Sequence, residues 1–182
     1  MIMDNLLLLD GSVSAAGAFS GTAVNSGTTF VSASPTQSAN IIDTSQLASS
    51  ASGYGRDIGI GDDLELVCMV TVAFTGSSST MQVQLQYAPD SSGSPGTFVT
   101  VAQSIAYALT ALTAGTELLR VKLPPMTPNP ATGSALPKFI CMNYVVGTAN
   151  MTAGAIASLI VVDRQALGPL LGYRSGYSNQ YL

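Results

Sequence analysis

From Met81 to Tyr87 every second residue is apolar: Met81, Val83, Leu85 and Tyr87 alternate with Gln82, Gln84 and Gln86. A repeat of two puts one set on each side of an extended chain, so this stretch reads as a half-buried β-strand. The run before it, residues 64–74, keeps the same period. Leu64, Leu66, Cys68, Val70, Val72 and Phe74 fall on one face, and Glu65, Val67, Met69, Thr71 and Ala73 on the other. Gly76-Ser77-Ser78-Ser79 separates the two runs, and together they read as a β-hairpin with a four-residue loop.

Strand signals recur along most of the chain. Asp10-Gly11 marks a turn after a short apolar run. Residues 11–39 are dominated by Gly, Ala, Ser and Thr and carry no charge, an extended excursion with one short strand candidate at 28–31. Residues 40–43 form another candidate. Residues 97–105 are strand-like, with a phase slip near Ala102 that suggests a bulge. Residues 106–114 fit a helical turn or a loop. In residues 117–123, Leu119, Val121 and Leu123 oppose Arg120 and Lys122. Pro124 to Pro137 holds five of the nine prolines, which exclude regular structure there. Residues 138–146 and 155–162 are apolar on both faces, as in strands covered on both sides. Beyond Asp163, Tyr173, Tyr177 and Tyr181 recur every four residues. The Gly, Ser and Asn between them oppose a helix, so an extended aromatic arm is expected. The expected fold is all-β: a jelly-roll β-sandwich over residues 40–163, with an extended N-terminal segment (1–39) and a Tyr-rich C-terminal arm (164–182).

The chemistry available to such a chain is narrow. Among 182 residues there is no histidine and no tryptophan, and charged residues make up 9% against 47% hydrophobic. Without histidine a Ser-His-Asp triad is impossible. Neither lysine, Lys122 nor Lys138, has Ser-x-x-Lys spacing. No enzyme activity, cofactor or metal is expected. Six scattered basic residues and a net charge of −4 argue against nucleic acid and an anionic membrane surface as partners. No apolar stretch approaches the roughly 20 residues that span a bilayer, and the N-terminus lacks a basic n-region.

Asp57, Asp62, Asp63 and Glu65 are the densest acidic cluster, open to reading as a Ca²⁺ loop or as a solvated turn. The Gln82, Gln84 and Gln86 face suits sugar hydroxyls or simply the wet side of a sheet. Cys68 and Cys141 lie in apolar runs and read as small buried hydrophobes, a disulfide being the alternative. Gly59-Ile60-Gly61 lacks the third glycine and the helix of a phosphate loop.

The order of several motifs resembles the capsid cement proteins of short-tailed bacteriophages. They are Met1-Ile2-Met3-Asp4, then Gly55-Arg56-Asp57-Ile58-Gly59-Ile60-Gly61-Asp62-Asp63-Leu64-Glu65-Leu66-Val67, then Val83-Gln84-Leu85-Gln86 followed by Asp90-Ser91. Met142-Asn143-Tyr144-Val145-Val146-Gly147, Thr152-Ala153-Gly154-Ala155-Ile156 and Val162-Asp163-Arg164-Gln165 complete the set. The likeness covers most of residues 1–8 and 40–165; residues 11–39 and the tail from about 167 depart from it. It implies a jelly-roll structural virion protein, assembled in the host cytoplasm. Such a protein binds the major capsid protein on the outer face of an icosahedral head and cements neighbouring capsomers. Self-association is expected, as a dimer before a trimer. By composition the two termini are the candidate contact arms: Met1, Ile2 and Leu6 at one end, Leu170, Tyr173, Arg174, Tyr177 and Tyr181 at the other. The competing expectation is a virion-displayed carbohydrate- or receptor-binding jelly roll, motivated by the Gln face and the acidic cluster.

Overall fold

The computed structural model describes residues 8–13, 19–23, 30, 36–44, 64–124 and 137–161. In chain order the described strands are β1 (Leu8–Asp10), β2 (Ser12–Val13), β3 (Phe19–Ser20), β4 (Thr22–Ala23), β5 (Thr36–Gln37), β6 (Ile42–Asp43) and β7 (Glu65–Gly76). They continue with β8 (Thr80–Ser91), β9 (Ser94–Pro95), β10 (Val99–Gln103), β11 (Tyr107–Ala108), β12 (Glu117–Lys122), β13 (Pro137–Gly147) and β14 (Met151–Val161). A 3-10 turn at Leu109–Ala111 follows β11, so the stretch read as a helical turn or a loop holds a two-residue strand and a single tight turn.

Two antiparallel sheets hold nearly all of these strands. One runs β1-β14-β7-β12, with β4 also beside β14; the other runs β10-β8-β13-β5, with β6 also on β13 and β9 and β11 also on β8. The pairs β5 and β6, and β10 and β11, are successive pieces of single rungs along β13 and β8. Taken so, the principal rungs in chain order are β1, β5/β6, β7, β8, β10/β11, β12, β13 and β14. One sheet then has the order first, eighth, third, sixth; the other has second, seventh, fourth, fifth. A long antiparallel hairpin rolled up on itself gives this arrangement, the jelly roll.

The topology corrects the expected hairpin. β7 and β8 lie in different sheets, β7 between β14 and β12, β8 between β13 and β10. Two strands of period two each have one apolar face, and the pattern is the same whether they sit side by side or face one another. Here they face one another: Leu66, Cys68, Val70 and Phe74 meet Met81, Val83, Leu85 and Tyr87 in one buried cluster. The Gly76–Ser79 link is therefore an arch over the end of the core. Ser79 Oγ fastens it to the neighbouring β13–β14 arch, donating to the carbonyl of Ala149 at 2.8 Å.

Bulges decide the finer phase. The β10–β8 register slips between Thr100 and Ala102, the position of the expected bulge. The β14–β7 register slips three times between Met151 and Ile156, which turns Val72 out of the core; it is 55% exposed, against the expectation that it faces inward. Gly154 sits in this bulged stretch at φ +131°, and a Cβ there would lie 2.4 Å from Cδ1 of Phe74, so the ring packs directly on its backbone. β13 and β14 are the central strands of their sheets and are largely buried.

Of the described parts of residues 1–39, β1, β4 and β5 join the two main sheets, while β2 and β3 pair only with each other. β1 and β4 pair with β14, β5 pairs with β13, and Gly11 turns the chain at φ +112°. Phe30 lies in the core, edge-on to Phe74 at 5.8 Å and to Tyr144 at 5.3 Å. Burial of a ring of this size is worth roughly 2–3 kcal/mol. The Tyr-rich arm lies outside the described residues.

A candidate interaction surface

The groups that most resemble a reactive site lie in the middle of the core. Asp10 accepts a hydrogen bond from the hydroxyl of Tyr144 and another from the backbone N–H of Ala39 at 2.9 Å. Tyr144 Oη also pairs with Ser158 Oγ at 2.7 Å. Since the tyrosine has one proton and gives it to Asp10, Ser158 is the donor in that pair. Cys68 lies beside Ser158 and Tyr144, and burial pushes its thiol up to about 12. Burial, helped by Cys68 and Asp10, likewise holds the Tyr144 hydroxyl well above its ordinary range. All four side chains are buried. A carboxylate held by hydrogen bonds, beside a phenol, a thiol and a hydroxyl that stay protonated away from solvent, forms a structural lock joining β1, β13, β14 and β7 across both sheets.

The outer face of the second sheet carries the glutamines. Gln84 Oε1 accepts from Asn143 Nδ2 at 2.8 Å, and at 3.4 Å from Gln86 Nε2 and from Thr100 Oγ1. Gln84 Nε2 reaches Gln103 Oε1 at 3.4 Å, Gln86 Nε2 reaches Thr100 Oγ1 at 3.1 Å, and Gln82 Nε2 donates to the carbonyl of Ser104 at 2.9 Å. The ladder spends much of its capacity on itself. Cys141 lies under it, and burial pushes its thiol up to about 12 as well. Cys68 and Cys141 are both free and buried, as the apolar reading of the two thiols expects; no disulfide joins them.

Charge gathers toward one pole. Lys138 Nζ lies 3.6 Å from Asp43 Oδ2, 3.5 Å from Asp90 Oδ1 and 5.0 Å from the centre of the Phe139 ring. Glu65, the described member of the expected acidic cluster, is 1% exposed and is met by Arg120 Nη1 at 3.3 Å. Asp57, Asp62 and Asp63 lie outside the described residues. Among the described residues no three His, Cys, Asp or Glu side chains group as metal ligands. Leu8 pairs with Leu159 and Glu65 with Val161, so the first and last described residues stand on neighbouring strands near this pole. The expected contact residues, Met1, Ile2, Leu6, Leu170, Tyr173, Arg174, Tyr177 and Tyr181, all lie outside the described residues.

Among the described residues, the arches at the opposite pole and the stretch from β10 to the following 3-10 turn carry no charge. No charged residue occurs between Glu65 and Asp90, between Asp90 and Glu117, or between Lys138 and Asp163. The arches at Gly76–Ser79 and Gly147–Met151, and the rim of β10, β11 and the following 3-10 turn, are built from these runs. On that rim stands Ile105, 71% exposed, the most exposed large hydrophobic among the described residues. Sequence reasoning passed over this rim; its signal was the uncharged run from Ser91 to Thr116. Neutral surface of this kind desolvates at low cost and suits contact with protein.

The model of the Bbp16 family, whose name is a phage-associated one, matches residues 25–160, about three quarters of the chain, and the chain belongs to that family. No curated protein matches it.

Proposed function

We propose that this Bbp16-family chain is a structural virion protein. It binds the outer surface of an icosahedral phage head and cements neighbouring capsomers of the major capsid protein. The observation that supports this best is the surface of the jelly roll: among the described residues it is uncharged in the arches at one pole and along β10 and β11, with its buried acid and thiols locked inside. Such a body acts by covering area. Low affinity per copy is enough on a symmetric lattice, because many copies engage at once. The phage-associated family name and the ordered motifs shared with cement proteins support the same reading. Under it, the two termini, with Met1, Ile2 and Leu6 at one end and Leu170, Tyr173, Arg174, Tyr177 and Tyr181 at the other, serve as contact arms, and the chain binds a second copy of itself.

The test is add-back to expanded heads that lack the protein. Purified protein is expected to co-sediment with such heads and to raise their thermal disruption temperature. Deletion of residues 164–182 is expected to weaken that binding while the jelly roll still folds. Heads that neither bind the protein nor differ in stability with and without it overturn the reading.

A further inference from the structure

Strand register lines up one amide side chain on each of four neighbouring strands of the second sheet. Gln37 on β5 stands opposite Asn143 on β13, Asn143 opposite Gln84 on β8, and Gln84 opposite Gln103 on β10. Residues paired in this way share a face. Their neighbours Val83, Leu85, Met142 and Tyr144 occupy the core, so the amide row lies on the outer face. Asn143 is 5% exposed and donates to Gln84 Oε1 at 2.8 Å, which fixes the Gln84 amide from below. Gln37 and Gln103 are exposed. The other bonds of the Gln84 amide, to Gln103 Oε1 and from Gln86 Nε2 and Thr100 Oγ1, are each 3.4 Å long, beyond the ordinary range. Gln103 Nε2 and the side-chain amide of Gln37 make no hydrogen bond to another described residue.

We propose that this amide row binds a neutral, extended β-linked glycan laid across the four strands. Such binding is separate from the cementing role and does not depend on it. Three features select the ligand. The first is spacing. Strands in a sheet stand about 4.8 Å apart, so the amides recur at nearly the advance of one hexose along such a chain, and the row is roughly 14 Å long, room for about three sugar units. The second is chemistry. A carboxamide both donates and accepts, and so does a sugar hydroxyl. Hydroxyls at ordinary distance replace the 3.4 Å contacts around Gln84 without stranding a donor or an acceptor. The third is charge. The row has none, and Lys138 on β13 is already held by Asp43 and Asp90. A phosphorylated or uronic-acid chain therefore finds no cation here, on a protein whose net charge is −4. A protein partner fits the row less well, because the centre of a protein interface draws on aromatic residues, methionine and arginine, and the row has none of them. The same lack of a ring for sugar to stack on keeps a single site weak.

Titration of the full-length protein with cellohexaose and with a neutral mannan hexamer, followed through the glutamine side-chain NH₂ resonances by NMR, tests this. Saturable shifts are expected at Gln37, Gln84 and Gln103 with at least one of the two hexamers, with a dissociation constant on the order of 1 mM, and none with a galacturonate hexamer. The double variant Gln84→Ala/Gln103→Ala is expected to raise that constant about tenfold or more, with an unchanged circular dichroism spectrum. Gln37→Ala, at an exposed position, is a second variant and is expected to raise it about threefold. Val72→Ala, exposed on the other sheet, is expected to leave it unchanged. No saturable shift with either neutral hexamer, equal binding of the galacturonate hexamer, or binding that survives both row variants each overturn the proposal. Expanded heads supply the last arm. The double variant is expected to bind them as the wild type does; if it does not, the row belongs to a protein contact and the glycan assignment falls. A chain that binds heads but neither hexamer keeps the cement reading alone, and one that binds a hexamer but not heads keeps this one alone.

Discussion

Tyr144 and Asp10 lie 134 residues apart in sequence and are joined by a buried hydrogen bond, the tyrosine hydroxyl donating to the carboxylate. The bond ties an edge strand of one sheet, β1, to a central strand of the other, β13. Ser158 on β14 supports the same hydroxyl. A three-residue strand has few ladder bonds of its own, so much of what holds β1 in register is this contact together with the burial of Leu8 and Leu9.

Removing the hydroxyl alone tests the strength of that tie. Tyr144→Phe keeps the ring that packs on Phe30 and deletes one donor to a buried acid. Hydrogen bonds to charged groups are worth about 1.5–3 kcal/mol, and the loss in urea unfolding is expected in that range. Ser158→Ala removes only a neutral bond and is expected to cost about 1 kcal/mol. Equal small losses from both would show that the lock contributes little.

Gly154→Ala tests the bulge. The position needs φ +131°, which a side chain disfavours, and the new Cβ would collide with Phe74. Strain and overpacking each cost about 1–3 kcal/mol, so a destabilisation of at least about 2 kcal/mol is expected. Combining it with Phe74→Leu should cost less than the sum of the two single changes, since the leucine relieves the clash but not the backbone strain. Strict additivity in thermal melts would count against the packing described.

The thiols predict an alkaline instability. In the fold both Cys68 and Cys141 are pushed up to about 12 by burial, from an ordinary value of 9.0. The unfolded chain therefore gives up these protons at lower pH than the folded chain. Between about pH 9 and 12 the folded state binds more protons, and stability falls as pH rises; below pH 9 the contribution is fully present and flat. The fall is on the order of 4 kcal/mol at most for the fully buried Cys68. A Cys68→Ala variant should start less stable but show a shallower alkaline slope. Neither thiol should react with a thiol reagent at pH 8 until the chain unfolds, and fast labelling of the native protein would contradict the burial.

Much of this fold was legible as local pattern, and its errors are those that local pattern cannot avoid. Alternation in Met81–Tyr87 identified a strand and its inward face, because burial imposes period two on a half-covered strand, and the doubly apolar runs around Tyr144 and Ile156 identified strands covered on both sides. The choice between pairing and facing for β7 and β8 is set by long-range order, which leaves no trace in a period. Val72 was misplaced because its phase is reset by bulges in the pairing with β14, and only Gly154 hints at them in the sequence. Phe30 and Asp10 lie in or beside a bland small-residue stretch, so nothing marked them as core. At the surface, sequence reasoning looked for features that were present, glutamines and tyrosines. The rim at Ile105 is defined by charges that are missing over a long run.

Arg120 allows a comparison of a buried and an exposed acid on one cation. Its Nε lies 3.0 Å from both carboxylate oxygens of Glu117 and its Nη2 lies 2.6 Å from Oε2, all at the surface, while Nη1 lies 3.3 Å from the buried Glu65. These acids, Glu117 first, hold the guanidinium above its ordinary range. Exposed pairs are worth about 0–1 kcal/mol and fade with salt, so Glu117→Ala is expected to cost under about 1 kcal/mol, with the loss shrinking in 1 M salt. Arg120→Ala removes a charged partner from an acid out of reach of water, and about 2 kcal/mol is expected, largely independent of salt. Chemical unfolding of both variants at low and high ionic strength reads the difference. If the two substitutions cost the same and respond to salt alike, Glu65 draws its support from elsewhere, and β12 is held by its ladder and its apolar side chains alone.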